Sequence, residues 1–236
     1  MFGQRLIEPN FHYEDHAYYF PNLVENPSEY LTWKDVEDCV NNTSFYEFDI
    51  IGKDGSAVSI DRYDKSWCNT KLVQNSQQIA NHINDGDTFV ITNYGFRNRK
   101  TQGLLREFEE IFPSVDCTIH AYGGIKESKS FNIHDDFPPN FIIQVEGETK
   151  WKVYKNRASS LLDVGFGKNI INEKDLEIDL EVVLKPGDTI YIPSRAYHCA
   201  FPDSGRLSMS IPCWPKQFLM GKTSDPNYYS IQNNGL

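Results

Sequence analysis

The side chains best suited to hold a metal in this sequence are His134 and Asp136, one residue apart in S-F-N-I-H-D-D-F, and His198 in P-G-D-T-I-Y-I-P-S-R-A-Y-H. Two imidazoles and one carboxylate can occupy one face of an octahedral ion and leave the opposite face open, an arrangement that suits non-haem Fe(II). The spacing has a physical logic. Residues i and i+2 of a strand point to the same side, so a strand over Ser130–Asp136 turns His134 and Asp136 inward and Asp135 away. A bulge would exchange the two carboxylates. His198 must then arrive from a different strand. His120 falls on a neighbouring strand and reads as a core or rim histidine, while His12, His16 and His82 carry no supporting context.

An H-x-D triplet alone is a weak signal, so its surroundings decide. Pro186, Gly187 and Asp188 read as a turn, Thr189 to Ile192 as a short apolar strand, and Pro193 as a break before the second histidine. Downstream of His134 come Asn140-Phe141, Gln144-x-x-Gly147, and Lys150-Trp151-Lys152-Val153-Tyr154. In this order and spacing the chain resembles the JmjC and cupin-type 2-oxoglutarate oxygenases, particularly the branch of ribosomal-protein and asparaginyl hydroxylases. The resemblance covers roughly residues 88–214; the N-terminal third carries none of its motifs.

The resemblance implies an Fe(II)- and 2-oxoglutarate-dependent oxygenase that hydroxylates a C–H bond, with His134, Asp136 and His198 as the metal ligands. Its substrate would be a protein side chain, on a ribosomal or other basic protein. Hydroxylation of a small molecule or a nucleobase, and a non-catalytic metal-binding cupin module, stand as alternatives. The distal carboxylate of 2-oxoglutarate requires a cation or several donors inside the fold. The family places a basic residue two or three positions after the glycine of Q-x-x-G, where this chain has Thr149 and then Lys150. Counting two leaves a hydroxyl in the anchor slot; counting three restores a lysine, and Lys150 is the narrow preference. Arg206-x-Ser208 is the rival, because these two share strand parity and resemble the R-x-S pair of other 2-oxoglutarate oxygenases. Asn140 and Tyr122 can add hydrogen bonds, and Tyr197 can line the substrate pocket. Trp151, Trp214 and Tyr191 read as core packing.

Composition sets limits on partners. The net charge of −10, from 33 acids against 23 bases, disfavours nucleic acid and suits a basic polypeptide. Arg97 to Lys100 form the densest basic cluster and read as a solvated loop. No apolar run is long enough to span a bilayer, and the first ten residues lack a signal-peptide pattern. Five scattered cysteines without a C-x-x-C argue for reduced thiols and a cytoplasmic setting. Pairing of two chains into a homodimer stays open. The short stretch after Trp214 is expected to lack the C-terminal winged-helix module of the ribosomal-oxygenase branch.

Helices are expected within Ser28–Cys39, Gln74–Asn84 and Lys100–Phe112; in the last, Leu104, Leu105, Phe108 and Ile111 follow helical spacing and Pro113 ends it. Strands are expected at Phe45–Ile50, Thr88–Thr92, Cys117–Tyr122, Ser130–Asp136, Phe141–Glu146, Lys150–Tyr154, Glu181–Leu184, Thr189–Ile192 and Arg206–Ile211. Helices followed by a run of short strands predict a mostly β, α+β chain with an antiparallel barrel and helices outside it. The resemblance makes this a double-stranded β-helix (jelly-roll or cupin) barrel with flanking N-terminal helices. The division expected is an N-terminal α/β segment over residues 1–87, the barrel over 88–215 and a C-terminal tail over 216–236. Residues 159–174 read as an insertion at the barrel entrance.

Overall fold

The computed structural model of the chain describes residues 15–66, 69–127, 130–158 and 171–216. The tail beyond residue 216, His12, Cys68 and most of the 159–174 insertion lie outside these residues. In chain order the strands are β1 (Tyr18–Phe20), β2 (Glu47–Ile51), β3 (Ala57–Val58), β4 (Arg62–Ser66), β5 (Asn69–Gln74), β6 (Thr88–Thr92), β7 (Val115–Cys117), β8 (His120–Gly124), β9 (Asn140–Glu146), β10 (Thr149–Arg157), β11 (Ile178–Leu184), β12 (Thr189–Ile192), β13 (Ala196–Pro202) and β14 (Arg206–Pro215).

Among the described residues three α-helices pack against them. α1 (Trp33–Val40) starts at a capping box in which Thr32 and Asp35 satisfy each other's backbone N–H groups. α2 (Ser76–Asp85) is capped by Asn75 and ends on Gly86 in the left-handed conformation. α3 (Arg99–Ile111) buries Thr101, Leu104, Leu105 and Phe108 along one face.

A closed barrel is not what these strands build. They form an open nine-stranded sheet in the order β1-β12-β9-β14-β8-β6-β2-β3, with β7 added to β14, and separate sheets β11-β10-β13 and β4-β5. The end strands β1 and β3 do not pair, so among the described residues no sheet closes on itself. The expectation of a jelly-roll or cupin barrel is therefore corrected to a mixed α+β fold of open sheets. Local strand signals say where chain is extended; closure depends on which edges meet, and no local pattern encodes that. Two strand expectations also shift. Cys117–Tyr122 is split at Thr118 and Ile119 into β7 and β8, and Ser130–Asp136 is no strand but a segment joined to its neighbour by a single bridge at His134.

Alternation along the central strands separates two environments. Phe141, Ile143 and Val145 of β9 and Leu207, Met209, Ile211 and Cys213 of β14 enter the main core, where they meet Val36 and Cys39 of α1, Ile79 of α2 and Leu104 and Phe108 of α3. A second, smaller core lies between the sheets, built from Ile142, Ile190 and Ile192 on one side and Val153, Leu184 and Ala196 on the other. No helix among the described residues is long and apolar enough to cross a membrane.

The turn motifs lock these layers together. The Asp188 carboxylate accepts the Asn22 and Lys185 backbone N–H groups and the Tyr19 hydroxyl, each at 2.9 Å. Gly187 uses both backbone groups: its N–H donates to the Gln144 carbonyl at 2.9 Å and its carbonyl accepts the Val24 N–H at 3.0 Å. The buried Gln144 amide donates to the Glu146 and Gly147 carbonyls at 2.9 and 3.3 Å, tying down the turn that carries the chain from β9 in one sheet to β10 in the other. Gly147 has φ +68°, and a Cβ there would collide with the Gly205 carbonyl. Gly147→Ala is therefore expected to lower stability by about 1–3 kcal/mol. Gly103→Ala, in α3 with open space around the new methyl, is expected to raise it by roughly 0.5–1 kcal/mol. Urea denaturation of both variants checks the pair; equal midpoints would contradict it.

Candidate metal centre and adjoining pocket

His134 and His198 face each other across one antiparallel bridge. The His134 N–H donates to the His198 carbonyl at 3.2 Å, and the His198 N–H returns to the His134 carbonyl at 2.8 Å. Directly opposed residues carry their side chains on the same face, so one bridge brings the two rings to a centroid separation of 4.3 Å. Asp136 reaches the same point: its carboxylate oxygens lie 4.0 Å from His134 Nε2 and 3.6 Å from His198 Nε2. One ligand atom from each of the three lies within 4.8 Å of the others. Asp135 points elsewhere, to Arg195 at 2.7 Å.

The backbone also sets the tautomers. His134 Nδ1 lies 2.7 Å from the Asn132 carbonyl and His198 Nδ1 lies 2.9 Å from the Ala196 carbonyl. A carbonyl can only accept, so each Nδ1 carries a proton, and each Nε2 is turned toward Asp136. Burial first, and the neighbouring His134 ring second, hold His198 well below the ordinary imidazole range. A neutral imidazole is the form a metal binds. Two such nitrogens and a carboxylate converging from one side fit a facial metal site with open positions. His120 is not part of the cluster; its Nε2 is 3.1 Å from the Thr118 hydroxyl, and burial lowers its pKa.

The triad forms one wall of a pocket of about 520 Å³, its open mouth included. Tyr122, Asn140, Thr149, Arg206 and Ser208, all singled out from sequence, line it. Lys150 and Tyr197 do not. Thr149 and Trp151 are the inward residues of β10, so Lys150 projects from the opposite face, where it pairs with Glu181. The preference for Lys150 as anchor is corrected on this parity: counting two positions from Gly147 describes the strand. Tyr197 follows the same rule on β13, since its neighbour His198 is the inward residue.

Arg206 is 3% exposed, and its guanidinium donates to the Thr88 hydroxyl at 2.9 Å. Burial pulls its pKa down to about 10, which leaves it cationic at neutral pH. The Thr149 hydroxyl and the Trp151 indole N–H are buried in the same pocket and find no hydrogen-bond partner among the described residues. A buried cation beside buried donors without partners is a wall fitted to an anionic ligand.

Asn140 links this wall to the triad: its amide N–H lies 3.5 Å from Asp136 Oδ2 and its oxygen accepts the Ser210 hydroxyl at 2.9 Å. Ser210 and Trp151 are pocket residues that sequence reasoning left aside. Ser210 shares parity with Arg206 and Ser208, a signal available in the sequence; Trp151 reads as packing because an apolar strand alone does not reveal which face borders a pocket.

Residues 105–218 match the model of the JmjC domain. The bifunctional lysine-specific demethylase and histidyl-hydroxylase NO66 of Drosophila persimilis is 29% identical over 211 residues, which are 83% of this chain and 25% of that protein. Ribosomal oxygenase 1 of Gallus gallus is 33% identical over 92 residues, 38% of this chain and 15% of that protein. The chain thus spans a quarter or less of these curated relatives. Among solved structures, Escherichia coli ycfD superposes with a TM-score of 0.62 at 15% identity, covering 98% of this chain and 57% of that one. YcfD, a ribosomal oxygenase from Escherichia coli in complex with cobalt and 2-oxoglutarate, gives 0.60 at 17% identity, covering 98% and 56%. At these identities the structural likeness establishes a shared fold.

Asp136→Ala is expected to weaken Co(II) binding by more than about 100-fold, beyond the usual cost of losing an outer-sphere partner. His120→Ala is expected to leave it within a few-fold. Calorimetric titration with Co(II) checks both, and retention of affinity in Asp136→Ala would contradict the site.

Proposed function

We propose that this JmjC-domain protein, related in sequence to NO66 and in fold to YcfD, is an Fe(II)- and 2-oxoglutarate-dependent oxygenase that hydroxylates a C–H bond of a protein side chain. The observation that carries the reading is one pocket holding a facial His-Asp-His set together with a buried, charged arginine. When bound, iron and 2-oxoglutarate supply the oxidation: O₂ is consumed, succinate and CO₂ leave, and one oxygen atom enters the substrate.

The chain's own residues bind, orient and exclude. His134, Asp136 and His198 would hold the metal from one side. Arg206 would bind the distal carboxylate of the co-substrate, with the Thr149 and Ser208 hydroxyls as further donors. Ser210 and Arg206 lie four residues apart on one face of β14, roughly 13 Å of strand at ~3.3 Å per residue, so the anchor sits well along the pocket from the Asp136–Asn140 end. Tyr122 keeps its proton, because burial and then Asp136 raise its pKa, and a protonated phenol can donate to a carboxylate. Phe131, Ile142, Trp151 and Ala200 give the pocket apolar surface that displaces water around the reacting atoms.

A protein substrate is supported by the names of the relatives and by the net charge of −10, which attracts basic polypeptide and repels nucleic acid. Succinate release from 2-oxoglutarate, dependent on Fe(II) and stimulated by basic ribosomal-protein peptides, tests the proposal; His134→Ala is expected to abolish it. Arg206→Ala is expected to raise the KM for 2-oxoglutarate by about 30-fold or more, the cost of leaving a buried charge partner out. Lys150→Ala is expected to leave that KM within about two-fold, as for an exposed ion pair. The opposite ranking would return the anchor to β10, and Fe(II) binding without turnover would make the chain a non-catalytic module.

A further inference from the structure

We propose that Arg195 is a positioning residue that clamps the Asp135–Phe137 segment against the start of β13 and so sets where Asp136 meets His198. The proposal rests on the metal reading above and assigns a role to two residues outside the ligand set.

The first observation is a conformation that does not suit the residue. The Ala196 N–H donates to the Pro193 carbonyl at 3.2 Å, closing a turn whose third residue, Arg195, has φ +62°. The other non-glycine residues with positive φ among the described residues are Asn22 and Asn93. Asparagine tolerates this region and glycine occupies it without strain, whereas a long side chain with a Cβ is disfavoured there. The turn alone gives no reason for arginine.

The side chain supplies the reason. Arg195 Nε lies 2.7 Å from Asp135 Oδ2, with the two side chains only 13% and 24% exposed, and its guanidinium lies 5.8 Å over the Phe137 ring. Its backbone N–H donates to the Asp136 carbonyl at 2.8 Å, and the preceding Ser194 hydroxyl donates to the Phe137 carbonyl at 2.7 Å. Residues 135, 136 and 137 are each gripped by the same two-residue turn. They need it, because among the described residues between β8 and β9 the chain forms no regular strand and its ladder contact is the His134 bridge alone. That bridge fixes His134 opposite His198, but Asp136 lies two residues beyond it. The middle aspartate of H-D-D, an alternative ligand on sequence grounds, is thus the partner of the clamp.

The test is Co(II) titration and metal-free melting of Arg195→Gly, Asp135→Ala, the double variant and Arg195→Lys. Arg195→Gly and Asp135→Ala are each expected to raise the Co(II) Kd on the order of 10–100-fold, the range for an outer-sphere partner. The double variant is expected to bind no more weakly than the worse single, because both remove one clamp. It is also expected to melt without metal at or above the wild-type temperature, since glycine relieves the turn and no charge is left unpaired. Arg195→Lys, which keeps the charge without the fork, is expected to fall between. A double variant with wild-type Co(II) affinity, or one whose melting temperature falls in step with its affinity, overturns the positioning role. A wild-type chain that takes up no Co(II) contradicts the metal reading itself, and the proposal with it.

Discussion

Two backbone hydrogen bonds between His134 and His198 are the constraint on which the site depends. They join a segment without regular structure to the first residues of β13, and because opposed residues in an antiparallel bridge share a face, they place two imidazoles side by side with no further device. Carbonyl groups of Asn132 and Ala196, within the same two stretches, then fix each ring's tautomer. The placement of the two imidazoles and the tautomer of each thus follow from main-chain geometry. Asp136, two residues past the bridge, is the ligand that geometry alone controls least.

The second organising feature is strand parity. The same period-two rule sends Leu207, Met209 and Ile211 into the helix-covered core and Arg206, Ser208 and Ser210 into the pocket. On β10 it turns Thr149 and Trp151 inward and leaves Lys150 on the far side with Glu181. A cation in the pocket therefore comes from β14 rather than β10. The residues of P-G-D and Q-x-x-G serve a different purpose: Asp188, Gly187, Gln144 and Gly147 make turn contacts that hold the sheets in register around the site. They are legible as motifs because tight turns and buried amides permit few residue types, not because they touch the reacting atoms.

Much of this was readable before any coordinates, and for identifiable reasons. Helix periodicity, capping residues and turn dipeptides are local, and α3, β6 and β12 fall within a residue or so of where they place them. The set His134, Asp136 and His198 is legible through the resemblance of the surrounding motifs, whereas the strand expected to turn the first two to one side is only a single bridge. What local patterns could not carry was non-local. Sheet closure depends on edges meeting across the molecule, and the sheets here stay open. The inward register of β10 depends on whether one or two residues are taken up by the turn at Gly147, a difference that exchanges Thr149 for Lys150. The strained turn at Arg195 leaves no sequence signal, since positive φ is expected at glycine or asparagine and is met here by an arginine.

In the proposed function one ion and one diacid share this pocket, the ion on the two histidines and Asp136, the diacid stretched toward Arg206. Anomalous diffraction at the cobalt edge, from crystals soaked with Co(II) and 2-oxoglutarate, tests it most directly. A single cobalt peak is expected among His134 Nε2, His198 Nε2 and the Asp136 carboxylate, with diacid density running along β14 to the Arg206 guanidinium. A peak held by other residues, or diacid density that leaves Arg206 uncontacted, would contradict it.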